Sequence, residues 1–191
     1  LGLAAGGRLR WAAVELTAAV EEARRRHDLS PIAAVALGRA LAGAALLQRL
    51  SARSCRKLVL TLVGDGPLGR VHAEADAVGN LRGLVGEPHV DSVDEAGGKL
   101  RIGRALGNGT LRVARERVDG TLWESRVALV SGEVGLDLAH FLDQSEQIRS
   151  AVLVGVLEGP DGVRAAGGMI IEALPGAPDA TIDQVVSNVE A

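Results

Sequence analysis

The chain has 191 residues, 47% of them hydrophobic and 24% charged, with a net charge of −3 and a single cysteine. This composition gives no basic surface for nucleic acid and excludes an internal disulfide, so we expect a cytoplasmic protein that binds neither nucleic acid nor membrane. A chain of this length buries on the order of 70% of its unfolded surface, which is enough for a single compact domain.

The N-terminal part predicts one strand followed by two helices. Residues 8–16 begin with alternating apolar and polar side chains, which is typical of a half-buried strand. Thr17 is a predicted N-cap for a short helix with early glutamates and late arginines. Pro31 starts a longer, alanine-rich helix that reaches about Leu50. Arg39 interrupts this apolar stretch, so we expect a core helix instead of a membrane span.

The middle of the chain predicts a meander of strands. Residues 70–77 alternate strictly, with charged or histidine side chains on one face and valine or alanine on the other. Glycine-containing turns at residues 64–69, 78–80, 107–109 and 119–120 separate the predicted strands. These strands are 57–63, 70–77, 81–85, 100–106, 110–113 and 123–130.

The C-terminal part predicts a helix and a last hairpin. Ser131 is the predicted N-cap of a helix in which Leu138 and Phe141 share one face. A Gly-Pro-Asp-Gly turn joins predicted strands at 151–158 and 163–173. The order of the elements favours an α+β fold, with largely antiparallel sheets and packed helices in a single compact core domain.

An apolar stripe follows Asp179. It repeats at the i, i+3, i+4, i+7 spacing of a helix and consists of Ile182, Val185, Val186 and Val189. The sequence shows no stop signal after this stripe and does not begin with methionine, so we expect a fragment whose natural chain continues.

Two segments resemble catalytic or nucleotide-binding motifs. Residues 64–69 read GDGPLG and satisfy G-x-G-x-x-G, but a strand pattern follows where a dinucleotide site needs a helix, so a hairpin turn is the better interpretation. Ser131 lacks the G-x-S-x-G context of a nucleophile. A small-molecule enzyme with a pocket near this turn and Ser131 is kept as the alternative function.

The cysteine and the histidines predict neither a catalytic nor a metal site. Cys55 lies among basic residues, which lower a thiol pKa, yet no family-type signature surrounds it, and we interpret it as an incidental surface thiol. The histidines are too far apart for a metal-binding motif: His27, His72, His89 and His140. We therefore expect no catalytic, cofactor-binding or metal-binding residue in this chain.

Several strings occur together in one order along the chain. They are GDGPLG at 64–69, EADAVGNLRG at 74–83, GRALGNGTLRV at 103–113, LVSGE at 129–133, DLAHFLDQSEQ at 137–147, SAVLVGVL at 150–157, AAGG at 165–168 and LPGA at 174–177. Together with the helix at 30–47, they resemble the N-terminal core domain of the 33 kDa chaperonin family of redox-regulated heat-shock holdases.

The resemblance implies an ATP-independent chaperone, not an enzyme, that binds unfolding proteins under oxidative and heat stress and prevents their aggregation. It assigns residues 1–178 to the core domain and 179–191 to the start of a helical linker. The family's C-terminal domain, whose four cysteines bind zinc and form disulfides on oxidation, is absent from this sequence, and Cys55 matches none of those cysteines. The implied partners are unfolded or partially unfolded client proteins, with a homodimer as an open alternative to a monomer.

Overall fold

The computed structural model of the chain describes residues 1–52, 54–90 and 100–190, with only the backbone of residues 189 and 190. The described helices are α1 (Thr17–Arg26), α2 (Pro31–Ser51), α3 (Ile102–Leu106), α4 (Gly135–Glu146) and α5 (Asp179–Glu190). The described strands are β1 (Gly2–Ala4), β2 (Leu9–Glu15), β3 (Cys55–Gly64), β4 (Arg70–Asp76), β5 (Leu81–Val85), β6 (Gly109–Arg117), β7 (Leu122–Ala128), β8 (Ser150–Gly159) and β9 (Gly162–Ala173).

The strands form two antiparallel sheets. The first has four strands in the order β1-β2-β9-β8, so the N-terminal strands pair with the C-terminal hairpin. The second has five strands in the order β5-β4-β3-β6-β7, in which β3 pairs with both β4 and β6. This arrangement confirms the predicted α+β fold with antiparallel sheets and packed helices.

Helix α2 forms the centre of the core. It contacts strands of both sheets, and 15 of its residues are buried. Glycines allow this close approach: a Cβ atom at Gly38 would lie 2.6 Å from Val156, and one at Gly43 would lie 2.5 Å from Leu138. The helix is long and apolar enough to cross a membrane by length and composition alone, but its burial between the sheets is that of a core helix.

Three predictions differ from the structure. Thr17 is the first residue of α1 and not its N-cap, and its hydroxyl accepts a hydrogen bond from the Ala166 N–H. Residues 100–106 were expected to be a strand, but α3 occupies Ile102–Leu106, because Ile102, Ala105 and Leu106 follow the i, i+3, i+4 spacing of one helix face and all three are buried. Ser131 is not the N-cap of α4, which begins at Gly135.

Asp137 supplies the cap that was expected from Ser131. This fully buried carboxylate accepts hydrogen bonds from the backbone N–H groups of Val130, Ser131 and Val134, and from the Ser131 hydroxyl. It holds Val134 at a positive φ of 61°, a conformation that a β-branched residue rarely adopts. A serine before a helix therefore predicted the wrong capping side chain.

We expect Phe141→Ala to lower the free energy of unfolding by about 3–5 kcal/mol, because Phe141 is fully buried and its removal leaves a cavity. Leu136→Ala is the matched control on the same helix, since Leu136 is 56% exposed, and it should cost about 0.5 kcal/mol or less. Urea denaturation measures both values. Equal losses in the two variants would contradict this account of the core.

Candidate functional site

The four-stranded sheet has one face against α2 and one face away from it. Ala166 and Ile170 of β9 lie in the buried core, and a Cβ at Gly168 would lie 3.2 Å from Leu46 of α2. Even-numbered residues of β9 therefore face the helix. Because side chains alternate along a strand, the odd-numbered residues of β9 and their partners in β2 and β8 point to the opposite side.

This opposite side, which we call the apolar face, carries mostly apolar side chains. The pairing register places its residues in rows across the sheet: Trp11–Ile171–Ala151, Ala13–Met169–Leu153, Glu15–Gly167–Gly155 and Ala165–Leu157. Leu157 is 55% exposed, and the larger side chains of the other rows are half-buried. Within these rows Glu15 is the one charged residue, so the face offers apolar surface to a partner.

Helix α5 lies over one end of the apolar face. It contacts β8 and β9, Ile182 is 1% exposed, and Leu9 and Ala151 at the same end of the face are buried. Of the predicted stripe, Val185 and Val186 are half-buried, and the side chain of Val189 lies outside the described part of the structure. The rows that contain Met169 and Leu157 lie farther along the strands.

An arginine attaches α5 to the sheet. The Arg149 guanidinium, just before β8, donates a hydrogen bond of 2.9 Å to Asp179 and a second one to Asp183. The two carboxylates are four residues apart and therefore lie on the same side of the helix. These ion pairs are solvent-exposed, so salt screens them and each stabilises the contact only weakly.

The outer face of the five-stranded sheet has a different character. Lys57 lies 2.7 Å from Glu74, and Arg112 lies 2.5 Å from Glu124, so cross-strand ion pairs cover this surface. The Lys57 hydrogen bond lowers the pKa of Glu74. This surface is therefore more highly charged than the apolar face, although Val63 and Leu84 are partly exposed on it.

Buried polar contacts fix the shape of the four-stranded sheet. Glu172 of β9 is 2% exposed and accepts hydrogen bonds from Arg10 of β2, including one of 2.9 Å from Nε. Arg10 also donates to the carbonyl oxygen of Leu50 in α2. The charge pair thus joins two neighbouring strands to the central helix.

Glu21 of α1 fixes the turn end of the β8–β9 hairpin. Its carboxylate accepts hydrogen bonds of 2.9 Å from the Val163 backbone N–H and 2.8 Å from Arg24. The Arg24 hydrogen bond, followed by that from Val163, lowers the pKa of Glu21 from 4.5 to about 2. This contact positions the strand ends that carry Leu157 and Ala165.

The enzyme hypothesis places a pocket near the 64–69 turn and Ser131, and these two parts lie at opposite ends of α3. The 64–69 turn packs against its C-terminal end, where Gly66 N–H donates to the carbonyl oxygen of Leu106. A Cβ at Gly103, near the other end, would lie 2.1 Å from the Ser131 carbonyl oxygen. The Ser131 hydroxyl donates to Asp137 and accepts from the Glu133 N–H. These hydrogen bonds give Ser131 a structural role in the loop before α4.

Cys55 is buried, and its interpretation as a surface thiol is wrong. A β-bulge between Cys55 and Lys57 turns the side chain inward, which the alternation of a regular strand does not predict. The Sγ atom donates to the Lys57 carbonyl oxygen at 3.2 Å, and burial raises the pKa of the thiol. A protonated, buried thiol is a poor nucleophile and a poor metal ligand.

Clustered metal-ligating side chains are missing from the described part of the chain. Residues 1–52, 54–90 and 100–190 contain no group of three or more His, Cys, Asp or Glu side chains that could hold a metal ion. The zinc ligands implied by the family resemblance thus have no counterpart among these residues.

Sequence reasoning did not single out the apolar face. The alternation of residues 163–173 and the apolar run at 151–158 were visible as strands, but the side that contacts α2 is set by tertiary packing.

Comparisons with known proteins agree with the resemblance. Residues 2–191 match the family model described as Hsp33 protein. The chain is 47% identical to a 33 kDa chaperonin of Thermus thermophilus, covering 99% of this chain and 56% of that protein. It is 48% identical to the 33 kDa chaperonin of Symbiobacterium thermophilum, covering 97% and 63%.

The fold is also similar to a solved structure. The crystal structure of the 33 kDa chaperonin of Thermotoga maritima matches with a TM-score of 0.92 and 38% identity, covering 99% of this chain and 65% of that one. The chain spans about three-fifths of the length of these relatives.

We expect Glu21→Gln to lower the melting temperature by a few degrees at neutral pH, because it removes the carboxylate that holds Arg24 and the Val163 N–H. The folded-state pKa of Glu21 is depressed, so this contribution is complete above about pH 4.5 and is lost as pH falls towards 2. Thermal unfolding across this range should show the wild-type and variant curves converging in acid.

Glu22→Gln is the control for this experiment. Glu22 is on the same helix and pairs with Arg25 and Arg26 on its surface, so its loss should have little effect. A Glu21→Gln effect that does not change between pH 5 and 2 would argue against the carboxylate's role.

Proposed function

Because the chain belongs to the Hsp33 family, we propose that it acts as an ATP-independent, redox-regulated chaperone that holds unfolding proteins and prevents their aggregation. The observation that carries this proposal is the apolar face, which α5 covers at one end. The proposed partners are unfolded or partially unfolded proteins in the cytoplasm.

The chemistry of the face suits this role. Unfolded chains expose apolar segments of many sequences, and the hydrophobic effect is non-directional, so a broad apolar surface binds them without a specific motif. Each Å² of apolar surface removed from water contributes ~25 cal/mol before the costs of association. Such binding needs neither a nucleophile nor ATP, and the sequence carries no G-x-x-x-x-G-K-[ST] motif.

The redox part of the proposal rests on the family resemblance. In the family, zinc bound by four C-terminal cysteines is released when they oxidise to disulfides, and this uncovers apolar surface. Cys55 does not fit that role, since it is buried and bonded to the Lys57 carbonyl oxygen. We therefore propose that zinc binding and redox sensing reside outside residues 1–191 and that these residues supply the binding surface.

A homodimer is part of the same proposal. Two copies that bury their apolar faces against each other would compete with clients for this surface. Analytical ultracentrifugation over a range of concentrations, with and without an unfolded client, distinguishes this dimer from a monomer.

The direct test is light scattering of a chemically unfolded client diluted into buffer. We expect the chain to suppress aggregation without nucleotide and without oxidant, because part of the apolar face is uncovered. Scattering that is unchanged by stoichiometric chain would refute the proposal.

We expect Leu153→Gln to raise the amount of chain needed for half-suppression of aggregation by about twofold, because a polar group replaces apolar contact surface in the centre of the face. The matched control is Leu122→Gln, which changes a leucine that is 80% exposed on β7 of the other sheet. If both variants lose activity equally, the client surface is not confined to the apolar face.

We expect Arg149→Gln to increase suppression of aggregation, because it removes both ion pairs that attach α5 to the end of the apolar face. Hydrogen exchange of the α5 amides should become severalfold faster. Arg126→Gln is the control. Arg126 is exposed on the other sheet, and its guanidinium lies 3.8 Å from the Glu124 carboxylate, which makes a weak ion pair. Faster exchange without any gain in suppression would show that α5 does not limit access to the face.

A further inference from the structure

A groove crosses the apolar face. Gly155 of β8 and Gly167 of β9 are paired opposite each other, and Glu15 of β2 is the next residue in the same row. The rows on either side carry the larger side chains Leu153, Met169 and Leu157. A shallow depression of about 390 Å³ lies over the row of Glu15, Gly167 and Gly155 and extends towards Leu157 and Ala165, and we call it the glycine groove. It extends across three strands, or about 10 Å, which matches the length of a large side chain.

The packing of the described chain explains one of these glycines. A Cβ at Gly167 would lie 2.4 Å from the carbonyl oxygen of Val14, so the sheet itself requires glycine there. A Cβ at Gly155 would meet nothing within 4 Å, and Gly155 is not among the residues at positive φ. Glycine in a strand weakens the strand, and it often marks a place where a ligand or another backbone approaches closely.

The charge of the groove limits what fits. Glu15 lies at its β2 end, and the other lining residues are uncharged, among them Thr17, Leu157 and Ala165. Glu15 accepts a hydrogen bond of 2.8 Å from the Thr17 backbone N–H, and hydrogen bonds from Thr17 lower the pKa of the carboxyl. An apolar floor with an anion at one end complements an apolar side chain next to a cation.

We propose that the glycine groove binds a large apolar side chain, aromatic by preference, from an extended segment of an unfolded protein, and that Glu15 pairs with a lysine or arginine next to it. A flat ring covers a strand glycine well, because the missing side chain leaves the backbone open to contact. The proposal rests on the proposed chaperone function and adds a sequence preference to it: segments with aromatic and basic residues bind, and acidic segments are disfavoured.

The test uses fluorescein-labelled peptides and fluorescence anisotropy with the intact chain. The first peptide carries one phenylalanine followed by lysine, the second has alanine for the phenylalanine, and the third has glutamate for the lysine. We expect the second and third peptides to bind about tenfold more weakly than the first, since about 1.4 kcal/mol corresponds to a factor of ten.

Variants of the chain assign these preferences to the groove. Gly155→Val fills the open space and should weaken binding of the first peptide about tenfold while leaving the second unchanged. It should not destabilise the fold, because β-branched residues favour strands and no atom lies within 4 Å of the new Cβ. Gly155→Ala should have a smaller effect. Glu15→Gln should remove the preference for lysine over glutamate and keep the preference for phenylalanine.

Ala128→Val on β7 of the other sheet adds two methyl groups to an exposed strand position and should change no affinity. Unchanged affinity of all three peptides in Gly155→Val, or no peptide binding by a wild-type chain that suppresses aggregation, would overturn the groove and leave the proposed function intact. Peptide preferences as expected, in a chain that fails to suppress aggregation, would instead support the groove and reject the chaperone function.

Discussion

The burial of one helix between two sheets is the constraint on which the rest of the structure depends. Helix α2 can occupy this position because alanine and glycine dominate its surface, so both sheets approach its backbone. A larger side chain at Gly38 would push away Val156, and one at Gly43 would push away Leu138. The helix thereby connects the four-stranded sheet, the five-stranded sheet and α4 in one core.

Because α2 takes one face of each sheet, each sheet is left with one outer face. The five-stranded sheet covers its outer face with cross-strand ion pairs such as Lys57–Glu74. The four-stranded sheet carries apolar side chains and glycines there, and the described side chains of α5 cover one end. Exposed apolar surface on a sheet is a liability for aggregation, so a whole face built mainly of apolar side chains indicates a use for it.

Local patterns in the sequence predicted most of the fold. The alternation of residues 70–77 and the start signal at Pro31 located β4 and α2, because each pattern reports directly on one buried side. Residues 100–106 were predicted wrongly as a strand, since a five-residue helix offers only one turn of periodicity. Cys55 was interpreted as a surface thiol because no family-type signature surrounds it, and its burial depends on a β-bulge that has no signature in this sequence.

Such patterns could not predict the candidate site, for a related reason. Strand periodicity separates two faces but does not say which face α2 covers, and the row Glu15–Gly167–Gly155 joins three strands that are distant along the chain. Gly155 was one of 25 glycines, and only its surroundings in the folded chain distinguish it from those in turns.

The attachment of the four-stranded sheet to α2 also determines where the entropy cost of binding falls. The apolar face is held from behind by core contacts and by the Arg10–Glu172 pair, so its shape is set before a partner arrives. A rigid surface loses little conformational freedom on association, and nearly all of the ordering penalty falls on the flexible partner. A partner that orders only a few residues incurs the smallest penalty, so most of a bound chain remains free to sample conformations and to fold after release.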